Sequence, residues 1–338
     1  MNQNNKMFYN LHDILTYNRL HNIIVGVRGH GKTYQVTKRC IDIGLEQKDL
    51  SFVVLVRYKE DIRPIKDSWW EGTDIDKFYP EWTFESQCNI IYARNGLERF
   101  PIGEFIALNQ YTRVKRKPRP KVRIIFFDEC LNEENDYLKN EIMAYNSICD
   151  SIIRNRDNVR CYLVSNTITI LNPYFNYFGF NTFGKRFTRG QHDSVLEFTD
   201  SEEFVKFREG TKLGASISGT EYGNFALLGH MMLDDTSNVS NIPNGQCKHQ
   251  FNIALEGQLM EVCMVVNIMY IRKCNDFTAT AFTPYIDDAV KCGAIFCTKK
   301  LNHFDLIVDK FIADEIMYET LEIKNKVINF VRFKMGNN

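Results

Sequence analysis

Asn22-Ile23-Ile24-Val25-Gly26-Val27-Arg28-Gly29-His30-Gly31-Lys32-Thr33 decides the fold. Its first four residues form a short apolar run of strand character, and the next eight satisfy G-x-x-x-x-G-K-[ST] at every fixed position. Glycine lacks a Cβ, so backbone N–H groups there close around phosphate oxygens. Lys32 supplies a point charge for the β- and γ-phosphates, and Thr33 a hydroxyl for Mg²⁺. A helical stretch running to Ile43 follows, and its positive dipole end faces the same anion. Gly26, Arg28, Gly29, His30, Gly31, Lys32 and Thr33 are therefore expected at a nucleotide, with ATP and Mg²⁺ as cofactors. A chance match in such a chain is roughly a 1% event at ordinary glycine usage.

Outward from this loop, the sequence supplies what the loop needs as a partner. Val122–Phe127 is apolar apart from Arg123 and ends in Asp128-Glu129. An Asp at the end of a buried strand holds the Mg²⁺ shell in P-loop enzymes. A Glu beside it polarises the attacking water, so Asp128 is the candidate metal ligand with Thr33, and Glu129 the candidate base. The pairing points to the branch containing motors, helicases and rings, and there is no N-K-x-D motif to favour GTP. Ser165-Asn166 closes another apolar run, where Asn166 fits a γ-phosphate sensor or a plain turn.

Phe52–Val56, Arg123–Phe127 and Cys161–Val164 repeat the β-branched texture of Asn22–Val25, with helical patterns between several of them, notably Glu141–Arg154. Alternation of this kind gives an α/β domain with a mostly parallel sheet, here assigned to residues 1–199. A linker element spans 200–240: Ser201–Glu209 reads as a charged helix, and Ser237–Gln246 carries turn chemistry. Residues 241–338 read as an α+β domain, with strands at His249–Leu255, Leu259–Val266 and Met269–Lys273. A helical pattern then runs through Leu306, Ile307, Phe311, Ile312 and Ile316.

The 338 residues include 42 basic and 42 acidic ones, for no net charge. An all-over basic nucleic-acid coat is excluded, and any DNA contact must be local. No stretch is long and apolar enough to span a bilayer, and Met1–Asn10 lacks a signal-peptide core. The ten cysteines form no C-x-x-C pair, which favours reduced, mostly buried thiols over zinc or disulfides.

Two basic clusters stand out. Arg154-Asn155-Arg156, with Arg160 behind, ends a helical stretch; these are helix-end cations or a finger reaching a neighbour's nucleotide. Arg113–Arg123 (RVKRKPRPKVR) holds two prolines and is expected to loop out rather than form a helix. Arg113, Lys115, Arg116, Lys117, Arg119 and Lys121 are its candidate contacts to DNA phosphates; a solvated basic loop is the alternative.

Several stretches in order carry a likeness: NIIVGVRGHGKT (22–33), VRYKED (56–61), IIFFDE (124–129), IIRNRDNVRC (152–161), SNTITILNPYF (165–175), KRF (185–187) and GTEYG (219–223). Across residues 8–225 the chain resembles the DNA-packaging ATPase of small, short-tailed bacteriophages with protein-primed linear genomes. The resemblance implies a homomeric ring, usually a pentamer, at the portal of an empty procapsid in the host cell cytoplasm, translocating double-stranded DNA. It implies the trans-acting finger at Arg154, the catalytic glutamate at Glu129, and subunit coupling near Lys59. It also implies a ribonuclease-H-like C-terminal domain that has lost its nuclease acids, and in some relatives a structural RNA partner. Glu256, Glu261, Asp276 and Asp287 are the acids available there, and no nuclease activity is expected. A helicase or partition-type ring ATPase, or a nucleotide-gated DNA-binding protein with little turnover, is the competing reading.

Overall fold

Apolar runs too short for helices and flanked by turns become strands once both of their faces can be covered. In the computed structural model, which describes residues 7–70, 75–114, 116–133, 136–180, 186–229, 237–240, 247–298 and 301–335, the chain divides into two compact units, Met1–Leu233 and Asp234–Asn338. The first contains strands β1 (His21–Gly26), β2 (Phe52–Val56), β3 (Thr83–Gln87), β4 (Ile90–Arg94), β5 (Arg99–Ala107), β6 (Ile124–Phe127), β7 (Arg160–Asn166), β8 (Phe187–Arg189) and β9 (Ser194–Thr199). They form one sheet in the order β3-β4-β5-β2-β6-β7-β1-β9-β8. From β5 to β9 every neighbouring pair is parallel, and antiparallel strands finish both edges.

Alternation along the central strands splits the core between two faces. Ile23, Val25, Val53, Leu55, Ile125, Phe127 and Leu163 face one cluster, with Tyr145 and Ile148 of the helix Glu141–Ile153. Ile24, Val54, Val56, Ile124, Phe126 and Val164 face the other, with Val36 and Cys40 of the helix Lys32–Gln47. The three helices Glu202–Glu209, Lys212–Ile217 and Glu221–Leu228 belong to the first unit, and Phe225 and Ala226 enter its core. The helical part of the segment read as a linker, residues 202–228, thus packs with the first unit's sheet.

The second unit holds β10 (Lys248–Leu255), β11 (Gln258–Val265), β12 (Ile268–Lys273), β13 (Ala281–Thr283), β14 (Ile295–Phe296) and β15 (Ile316–Tyr318), in the order β14-β13-β10-β11-β12-β15. β10, β11 and β12 form an antiparallel meander; β13 runs parallel to β10, and β14 parallel to β13. β15 runs parallel to β12 and closes the far edge. Ile316 departs from the expected helical pattern: the helix Asn302–Ile312 ends earlier, and Ile316 pairs with Met269 in β15. All ten cysteines are free, and no helix of the described residues is long and apolar enough to cross a membrane.

The basic run also departs from expectation. Arg113 and Val114 lie in a short helix, Tyr111–Val114, and among the described residues only those from Arg116 onward loop out. Arg119 is not a solvent-facing cation. Its guanidinium is buried against Glu104 of β5, at 2.8 and 3.1 Å, and also donates to the carbonyls of Val114 and Lys117. Arg119 therefore anchors the loop and is unavailable to a phosphate. Lys115 lies outside the described residues, while Arg113, Arg116, Lys117 and Lys121 are exposed. Arg119→Ala would leave the buried Glu104 carboxylate only the exposed Lys117 ammonium at 3.3 Å, so it should destabilise the chain by about 3–5 kcal/mol in urea denaturation. Lys121→Ala, on the exposed part of the same run, should change stability by less than about 0.5 kcal/mol.

Candidate nucleotide site

Parallel strands deliver their carboxyl ends to one edge, and both sequence signals sit there. The loop leaves β1 at Gly26, and the acidic pair leaves β6 at Asp128, with β7 hydrogen-bonded between the two strands. Across that interposed strand Thr33 Oγ1 donates to Asp128 Oδ1 at 3.1 Å. The glycines are dictated by space and backbone. A Cβ on Gly26 would lie 2.1 Å from Thr199 Oγ1, and Gly31 sits at φ +96° as the cap of the helix Lys32–Gln47. Lys32 is buried and its Nζ donates to the carbonyls of Gly26 and Val27 at 3.0 and 2.7 Å.

One cleft is lined by Lys32, Thr33, Asp128, Glu129, Ser165 and Asn166, among others. An adjoining one shares Glu129, Ser165 and Asn166, and adds Arg57 and Glu133. Arg28 borders both and lies 3.9 Å from Glu133. The His30 side chain turns elsewhere: Nδ1 meets Thr199 Oγ1 and Nε2 the Met7 carbonyl, both at 3.1 Å. Its backbone is engaged as well, the N–H donating to the Val27 carbonyl at 3.4 Å and the carbonyl accepting from the Tyr9 N–H at 2.9 Å, so His30 fastens the loop to β9 and the N-terminal segment.

Electrostatics follow burial. Burial, and then the adjacent Glu129 carboxylate, push Asp128 up to about 7. Burial brings the Lys32 ammonium down to about 8. Burial, with Lys32 nearby, also lowers His30. Glu129 is exposed and held at φ +52°, in the left-handed region. A hydroxyl and a carboxylate at 3.1 Å are hard oxygen donors, suited to Mg²⁺ shared with phosphate oxygens.

A buried network beneath the acidic turn escaped the sequence reading. Arg57, directly after β2, makes a bidentate pair with Glu141 at 2.9 to 3.2 Å and donates to the Cys130 carbonyl at 2.8 Å. Tyr174 donates to the same carboxylate at 2.8 Å. The Cys130 carbonyl follows Glu129 by one residue, so the network fixes the turn that presents it. The only sequence signal was a cation abutting an apolar strand in VRYKED.

The remaining candidates scatter. Lys59 is exposed beyond the end of β2, on the edge that carries the loop. Arg154 lies after the helix Glu141–Ile153, at φ +50°, exposed, and shares an open concavity with Arg116 and Asp150. It precedes β7, whose far end, Asn166, is level with Gly26. Seven residues of β7 separate the two edges by roughly 20 Å, so Arg154 is remote from its own protomer's loop. Arg156 is consumed structurally, donating to the Pro120 and Val122 carbonyls at 2.6 and 2.7 Å. In the second unit the acids diverge. Glu261 pairs with Arg272 at 3.1 Å, Asp276 accepts from Thr278, Glu256 accepts from Asn329, and Asp287 is exposed. Among the described residues no group of three His, Cys, Asp or Glu is placed to hold a metal.

A family model for the podovirus DNA encapsidation protein (Gp16) matches residues 3–336. The DNA packaging protein of Bacillus phage phi29 is 28% identical over 335 residues, covering 97% of each chain. A similar relative in Bacillus phage B103 is 28% identical over 329 residues, covering 95% of this chain and 98% of its own length. Among solved structures, the bacteriophage phi29 viral genome packaging motor assembly aligns with 97% of this chain and 100% of its own, at 27% identity and TM-score 0.76. The N-terminal domain of the phi29 DNA packaging ATPase covers 59% of this chain and 100% of its own, at 28% identity and TM-score 0.52.

The raised Asp128 sets a pH dependence. Between pH ~4 and ~7 the folded, metal-free chain holds a proton that the unfolded chain has released. This carboxyl's contribution to stability therefore declines as pH climbs through that window and is flat above it. Wild type should lose stability relative to Asp128→Asn between pH 5 and 7 in chelator-containing denaturation series, and parallel curves would refute it.

Proposed function

Because this chain belongs to the podovirus DNA encapsidation protein (Gp16) family, we propose that it is an ATP-hydrolysing motor subunit that drives double-stranded DNA into a preformed capsid. The observation that carries the ATPase part is the contact between Thr33 and Asp128 at 3.1 Å, which joins the phosphate loop to the acidic pair at one sheet edge. Lys32 neutralises the β- and γ-phosphates, Thr33 and Asp128 hold Mg²⁺, and Asn166 stands where a γ-phosphate is sensed. Bound Mg²⁺ supplies charge neutralisation at the transferring phosphoryl group. Glu129 accepts the proton of the attacking water, and its turn is steadied through Arg57 and Cys130.

Hydrolysis is completed by a neighbouring copy. Arg154, at the opposite edge, reaches a triphosphate only in a second protomer, which a head-to-tail contact that closes into a ring supplies at every site. Arg156, bound to backbone carbonyls, is not the finger. Lys59, exposed at the loop's edge, couples adjacent protomers. The likeness to the phi29 motor assembly supports a ring docked on the portal in the infected cell, which we take to be a pentamer. The exposed cations Arg113, Arg116, Lys117 and Lys121 touch DNA phosphates. The second unit lacks nuclease activity, because Arg272 neutralises Glu261 and Asn252 occupies the facing position of β10. A helicase would open the duplex; forked DNA should pass unseparated.

Arg154→Ala should leave ATP affinity within about twofold and lower hydrolysis about 10³-fold or more. Mixing it with Glu129→Gln should restore part of the phosphate release, since one mixed interface carries both intact groups; a mixture as inactive as either parent refutes action in trans. Neutralising Arg113, Arg116 and Lys117 should flatten the salt dependence of duplex DNA affinity by about one unit of log–log slope for each cation removed. An unaltered slope returns the loop to solvent.

A further inference from the structure

The helix Glu202–Glu209 starts where β9 ends, beside the phosphate loop, because β9 pairs with β1 through Thr199 and Gly26. Ser201 caps it, accepting from the Phe204 N–H at 3.2 Å. Phe204 is buried and packs on the ring of His30 at 5.0 Å and that of Phe8 at 5.7 Å. Residues four apart share one helix face, so the face that seats Phe204 on the loop also carries Arg208. Its Nη1 lies 3.2 Å from where a Cβ on Gly29 would stand. Its Nε is enclosed with no hydrogen-bond partner, and among the described residues no carboxylate pairs with it. Of the loop's other nearby arginines, Arg57 is locked to Glu141, while Arg28 borders the clefts, half-exposed and 3.9 Å from Glu133. A guanidinium thus lies against the phosphate loop with no carboxylate among the described residues to offset its charge.

We propose that Arg208 is a cis-acting positioning residue of the nucleotide site, adding its charge behind Gly29 and tying the helices of residues 202–228 to occupancy of the loop. The inference rests on the nucleotide reading above and extends it to a residue outside the loop and the acidic pair. The gain is electrostatic, so it grows with phosphate charge and favours ATP over ADP. It also follows the charge of the side chain rather than its shape.

Two substitutions separate charge from packing: Arg208→Met keeps an apolar stem without charge, and Arg208→Lys keeps the charge. Calorimetric titration of the full chain with MgATP and MgADP should show R208M weakening ATP about tenfold, the scale of one charge acting through a partly solvated path. ADP should weaken less, R208K should stay within about threefold of wild type, and the loss should shrink at high salt. Wild-type ATP affinity in R208M, or R208K as weak as R208M, overturns the inference. Lys32→Ala in the same series distinguishes the two levels. If K32A loses ATP while R208M binds normally, only Arg208's role falls. If K32A binds normally, the loop reading falls and takes this inference with it.

Discussion

Parallel strands impose a constraint that everything else in the first unit obeys: each one starts at the same edge and finishes at the other. With β5, β2, β6, β7, β1 and β9 all parallel, every loop that leaves a carboxyl end joins one row. The phosphate loop, the acidic turn, Asn166 and Lys59 are neighbours for that reason, though long stretches of chain lie between them. Inserting β7 between β1 and β6 widens the spacing by one strand, and the Thr33–Asp128 contact spans it.

Holding an acidic turn over such an edge raises a problem of buried charge, which is solved by pairing. Arg57 and Glu141 are both nearly inaccessible, and the pair is completed by Tyr174 and by the Leu138 N–H. The carboxylate that would otherwise be stranded in the interior thereby finds donors on several sides. The same logic fastens Arg119 to Glu104 at the root of the basic loop. The middle of that run is thus structural at Arg119, while Arg113, Arg116 and Lys121 face solvent, a division that composition alone conceals.

Legibility from sequence followed the strength of local signals. β1, β2, β6 and β7 are continuous apolar runs and could be read directly, as could the loop and Asp128-Glu129. The β3–β5 ribbon could not, because strands such as TFESQ are half-exposed and polar, and only pairing with β5 defines them. Ile316 fits a helical spacing from Leu306, yet the register offered by Met269 takes it into a strand. Arg57, Arg119 and Arg208 look alike as letters. Their different fates depend on Glu141, Glu104 and Gly29, partners far enough along the chain that no local pattern conveys them.

Arg154 and the phosphate loop occupy opposite rims of a single sheet, and that has a consequence for symmetry. In the head-to-tail ring proposed above, one rim follows the other, like links threaded in the same direction. A closed circle built this way is chiral, with a leading and a trailing side to each member. Whatever passes from one member to the next can then travel clockwise or anticlockwise, but the two senses are chemically different.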